Sequence, residues 1–145
     1  MQVTAAEILH ALDQGELRFF YQPKVSFLTG QVSGAEALIR WQRDERTIVP
    51  PDAFIPVALV HGLVPEITQS MFPRLVEDFQ RIRSVNAATT VALNVTAQDL
   101  DTPRLLALVR ERLLEHPPAP PPQLITTTPC HRYGIGPFEA QARRG

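Results

Sequence analysis

The sequence predicts an α/β domain built on a mixed sheet. Two strand-like runs, Leu17–Val25 and Val32–Trp41, flank the turn Leu28-Thr29-Gly30-Gln31, and strands joined this tightly pair antiparallel. Beyond residue 50, helical and strand patterns alternate, which favours a parallel arrangement. The chain has 145 residues, 44% hydrophobic and 20% charged, enough for one globular domain with its own core.

Each element has a local cause. Thr4-Ala5-Ala6-Glu7 has capping-box spacing, and Ile8, Leu9 and Leu12 follow on one helical face. Gly15 suits the left-handed stop of that helix. The first strand is rich in aromatics (Phe19, Phe20, Tyr21), and Pro23 belongs at a sheet edge, a bulge or a strand end because it lacks a ladder donor. After the polar loop 42–47, Pro50-Pro51-Asp52-Ala53-Phe54-Ile55-Pro56 feeds a short helix that Gly62 ends. Ile67, Met71, Leu75, Phe79 and Ile82 make an amphipathic stripe over 65–83. Pro73 lies inside it, and a kink or break is expected between Gln69 and Pro73. Val91–Val95 is a short apolar strand with Asn94 as its polar exception. Thr102-Pro103 opens a helix whose face is Leu105, Leu106, Val109 and Leu113. Residues 116–122 hold five prolines and read as a stiff, polyproline-like loop. Residues 125–145 show no hydrophobic period and are expected to be irregular.

Composition excludes several classes of function. Net charge is −1, so there is no basic footprint for nucleic acid. Cys130 is the single cysteine, which rules out an internal disulfide and any cysteine-based cluster within one chain. The four histidines, His10, His61, His116 and His131, have no ligand spacing. No basic-then-apolar leader opens the sequence, and no apolar run nears the about 18 residues that suggest a membrane span. A cytoplasmic protein is the expectation, with no membrane partner.

The second strand carries the chemistry. Its alternation places Glu36, Leu38 and Arg40 on one face and Ala35, Ala37, Ile39 and Trp41 on the other. An acid and a guanidinium on one strand face need partners. A metal ion for Glu36 and a phosphate for Arg40 would serve, and so would a salt bridge at the sheet surface.

The residues resemble the EAL domains of bacterial cyclic di-GMP signalling. The matching segments stand in order: Tyr21-Gln22-Pro23-Lys24-Val25, Thr29-Gly30, Gly34 to Trp41 with the tripeptide Glu36-Ala37-Leu38, Pro50 to Pro56, Gly62-Leu63, and Leu93-Asn94-Val95-Thr96. The resemblance implies a TIM-type (β/α) barrel with its first strand antiparallel, and a truncated EAL domain over 1–124 followed by a divergent tail over 125–145. It implies metal-dependent hydrolysis of cyclic di-GMP to pGpG with two divalent ions, Mg2+ or Mn2+. Glu36 and Asn94 would be metal ligands. Gln22, Leu38 and Arg40 would contact the nucleotide, with Arg40 at a phosphate. Hard oxygen donors suit such ions, and two of them can activate a water and steady a leaving oxygen.

Departures limit what the resemblance implies. The family's fourth strand carries a Glu in Leu-Glu-Ile-Thr-Glu, where Leu124 is followed here by Ile125-Thr126-Thr127. The paired Asp before Phe-Gly-Thr-Gly and the later Lys, Glu and Gln have no counterpart in these 145 residues, and a partial barrel with its C-terminal half missing is the expectation. The Glu usual after Phe-Ile-Pro is Leu59. Three readings follow. One is a truncated EAL domain that is catalytically silent alone. Another is a module that binds cyclic di-GMP weakly, self-associates or pairs with another EAL protein. The last is a phosphodiesterase completed in trans, which a second copy cannot achieve because it supplies the same ligand types twice.

Overall fold

Helix α1 (Ala5–Asp13) starts where its capping box places it: Thr4 Oγ1 accepts from Glu7 N at 3.3 Å, and Glu7 Oε2 accepts from Thr4 N at 2.9 Å. Gly15 stops it with φ +66°. In the computed structural model, residues 2–115, 123–130 and 134–138 are described. Strands β1 (Leu17–Val25) and β2 (Val32–Gln42) form the expected antiparallel hairpin, in register from Leu17 opposite Trp41 to Lys24 opposite Gly34. β1 is an edge strand, which accommodates Pro23. The two-residue strand β3 (Ile48–Val49) pairs with the end of β2 and is too short to leave a period in the sequence.

Helices α2 (Pro51–Val60) and α3 (Val64–Val85) follow, divided by Gly62 at φ +66°. The break expected near Pro73 does not occur: α3 is one helix of 22 residues. Phe72, Leu75 and Phe79 lie on either side of Pro73 and are buried with Ala37, Val91 and Leu93. Packing on both flanks offsets the hydrogen bond that proline deletes. Strand β4 (Thr90–Val95) runs parallel to β2, with Gly34 opposite Thr90 and Ala37 opposite Leu93. A one-turn helix, α4 (Ala97–Leu100), then leads to α5 (Pro103–Glu115).

Strand β5 (Gln123–Cys130) lies parallel to β4, and β6 (Gly134–Phe138) pairs antiparallel with β5. An irregular stretch throughout 125–145 is therefore not what forms. Ile125-Thr126-Thr127-Thr128 is a β-branched run, and such residues fit a pleated surface without needing a long apolar period. The polyproline-like loop expected over 116–122 lies outside the described residues. Sheet order is β1-β2-β4-β5-β6, with β3 beside β2. The fold is thus the expected mixed α/β sheet.

One face of this sheet is covered. Trp41 and Phe54, both fully buried, meet edge to face with ring centroids 5.7 Å apart. A second cluster joins Ala37, Val91, Leu93 and Val95 to α3. The other face carries the partners of Glu36, Leu38 and Arg40.

Gly34 makes the β2–β4 approach possible. A Cβ there would lie 2.7 Å from Thr90 Oγ1 and 2.9 Å from the Thr90 carbonyl oxygen. The backbone oxygen cannot step aside as a flexible side chain would. Gly34→Ala is expected to cost about 1–3 kcal/mol in urea denaturation, the usual range for overpacking; a loss under about 0.5 kcal/mol would show that the strands can part freely.

Tyr21 ties the hairpin to α3. Its hydroxyl donates to Asp78 Oδ2 at 2.7 Å. Burial pushes the phenol well above its ordinary range, and the hydrogen bond and negative charge of Asp78 push it further in the same direction. A raised folded pKa contributes stability that is present below the unfolded value, about 10, and is lost as pH rises toward the folded one. Stability measured from pH 8 to 11 should fall above about pH 10 in the parent and stay flatter in Tyr21→Phe.

Candidate functional site

Register decides which side chains can meet. Residues directly opposite on antiparallel strands share a face. Gln22 lies opposite Glu36, Phe20 opposite Leu38, and Arg18 opposite Arg40. Across the parallel junction Glu36 is beside Ala92, so Asn94, two residues on, joins the same face. The sheet thus brings Gln22, Glu36, Leu38, Arg40 and Asn94 to the face opposite the helical core.

Glu36 and Asn94 touch. Asn94 Nδ2 donates to Glu36 Oε1 at 2.7 Å, a contact between residues 58 apart in sequence. Both are half-buried. A carboxylate beside the amide fixes its orientation, because the amide oxygen would repel it. Arg40 is also half-buried, and its Nη1 donates to the Ile39 carbonyl at 2.8 Å. The surface salt bridge between Glu36 and Arg40 is not formed among the described residues. Gln22 is exposed on the edge strand.

A cavity of about 140 Å³ lies between the sheet and helices α2 and α3, mostly on the core side. Leu38, Arg40, Asn94 and Thr96 line it together with apolar side chains such as Ile39, Ile67 and Met71.

The turn after Asn94 is held twice. Thr96 and Asp99 form a second capping box, with Asp99 Oδ2 accepting from Thr96 N at 2.7 Å and from Thr96 Oγ1 at 2.9 Å. Gln98 Nε2 donates to the Leu59 carbonyl at 2.9 Å, tying the turn to α2. Sequence reasoning passed over Asp99, although Thr-x-x-Asp is close to the capping-box pattern.

Among the described residues the donor set for a pair of divalent ions is incomplete. Glu36 offers a carboxylate, and Asn94 turns its amide nitrogen to it. Among the described residues, no three His, Cys, Asp or Glu side chains cluster as a metal site would need. The β4–β5 register places Ile125 opposite Asn94, the position where a further carboxylate would extend the set. One carboxylate cannot offset the repulsion of two ions roughly 3.5–4 Å apart. Among the described residues, no helix is long and apolar enough to cross a membrane.

The chain is similar to known proteins. The chain is 28% identical over 112 residues to the cyclic di-GMP phosphodiesterase RocR of Pseudomonas aeruginosa, covering 77% of this chain and 29% of RocR. It is 31% identical over 105 residues to the cyclic di-GMP phosphodiesterase PdeR of Escherichia coli, covering 72% and 16%. Among solved structures, the PaMucR phosphodiesterase in complex with c-di-GMP superposes with a TM-score of 0.67 at 28% identity, covering 77% of this chain and 46% of that one. The Xanthomonas citri FimX EAL domain, also with c-diGMP, matches in fold with a TM-score of 0.70 at 20% identity, covering 84% and 47%. These folds are TIM-barrel-type, and the chain spans under half of each and under a third of the two phosphodiesterases. The family model of the EAL domain matches residues 5–133, and the chain belongs to the EAL domain family.

Proposed function

We propose that this chain carries one half of a cyclic di-GMP site and binds the nucleotide without hydrolysing it alone. The observation that carries this reading is the shared face of Gln22, Glu36, Leu38, Arg40 and Asn94, closed by the 2.7 Å contact between Asn94 and Glu36. In this reading Arg40 faces a phosphate, Leu38 lies against a base or sugar, and Gln22 reaches the ligand from the edge strand. Glu36 and Asn94 would be the Mg2+- or Mn2+-facing pair. The chain's own residues hold and orient the nucleotide.

Glu36 is the single carboxylate at this face among the described residues, which is the reason hydrolysis is not assigned to this chain. Incubation with cyclic di-GMP and either Mg2+ or Mn2+ should yield no pGpG by chromatography. Turnover that disappears in Glu36→Ala would contradict this reading and assign catalysis to the chain itself. The two phosphodiesterase relatives and the c-di-GMP complex of PaMucR support the choice of nucleotide.

A further inference from the structure

We propose that Arg18 acts with Arg40 as a two-guanidinium cradle for one phosphoryl group, an assignment that rests on the reading of Arg40 as a phosphate contact. The two residues stand directly opposite in the β1–β2 register. Cβ atoms of such a pair lie about 4.5–5.5 Å apart, on one face. Like charges placed this way destabilise a hairpin unless a counter-charge joins them.

Among the described residues no acid stands within ion-pair distance to supply that counter-charge. Neither arginine has an ion-pair partner there. Glu16 accepts from the Trp41 indole at 2.7 Å, and Glu7 pairs with Arg43 at 3.2 Å. The next register pair along the face is Phe20 and Leu38, which is apolar. Arg40 spends one donor on the Ile39 carbonyl, which fixes its guanidinium and leaves its other donors available. Arg18 is exposed beside it and can approach the same oxyanion from the edge strand. Two planar forks matched to one tetrahedral anion give bidentate, charge-assisted contacts that lysine could not reproduce.

The test uses the full chain and inorganic pyrophosphate as probe, followed by cyclic di-GMP. Arginine Nε–Hε signals are recorded during each titration. Arg18 and Arg40 signals should move together along one saturable curve, and Arg18→Gln should weaken pyrophosphate binding about five- to tenfold. Movement of Arg40 without Arg18, parent-like affinity in Arg18→Gln, or shifts that never saturate would overturn the cradle. Cyclic di-GMP binding that depends on Arg40 and not on Arg18 also overturns it, while the proposed function stands. Pyrophosphate binding by both arginines with no cyclic di-GMP binding would leave the cradle in place and remove the proposed function instead.

Discussion

Trp41→Ala should remove about 3–5 kcal/mol of folding stability, the range for truncating a large buried aromatic. Trp41 is 1% exposed, meets Phe54 edge to face, donates its indole N–H to Glu16 at 2.7 Å, and has the Arg43 guanidinium 4.6 Å above its ring. The substitution opens a cavity beneath β2 and strips Glu16 of its donor at once. Domains of this size have only about 5–15 kcal/mol in total. Most of the folded population should therefore be lost at mild urea concentrations. Far-UV circular dichroism is the suitable probe, because the substitution removes the single tryptophan of the chain. A loss below about 1.5 kcal/mol would mean that the core does not centre on Trp41. The effect reaches the site as well: Trp41 pins the strand from below directly after Arg40.

Arg40→Gln should weaken cyclic di-GMP binding by about 10- to 100-fold, since a hydrogen bond to a charged group contributes about 1.5–3 kcal/mol. The side chain is half-buried and its guanidinium is oriented by the Ile39 carbonyl, so little entropy is lost when an anion arrives. Glutamine keeps a donor and much of the apolar stem, which isolates the charge. Arg81 is the control: it is exposed on α3, pairs with Asp78 at 3.7 Å, and Arg81→Gln should leave affinity unchanged. Equal affinity in parent and Arg40→Gln, by calorimetry, would take the phosphate contact away from Arg40.

Much of the fold was legible because its causes are local. The Thr4–Glu7 box, the stops at Gly15 and Gly62, and the alternation of β2 each depend on neighbouring residues. Pro73 misled because its cost is local and its compensation is tertiary: Phe72, Leu75 and Phe79 hold the helix from the sheet side. The run Ile125–Thr128 misled for a related reason, since β-branched residues pair as a strand without an apolar period. At the site, the face shared by Glu36, Leu38 and Arg40 follows from period two alone. The contact between Asn94 and Glu36 does not, because it needs the β2–β4 register, which Gly34 permits by its close approach to Thr90. The opposition of Arg18 and Arg40 is likewise a property of pairing, absent from either strand read singly.

In the proposed function one sheet face, and not another surface, receives the nucleotide. Backbone amide shifts recorded while cyclic di-GMP is added to the full chain test it most directly. Saturable shifts are expected at residues 36–40 and 94–96, with Gln22 following. Shifts confined to the groove between α3 and α5, around Gln69 and Arg104, or no saturable shift at all, would contradict it.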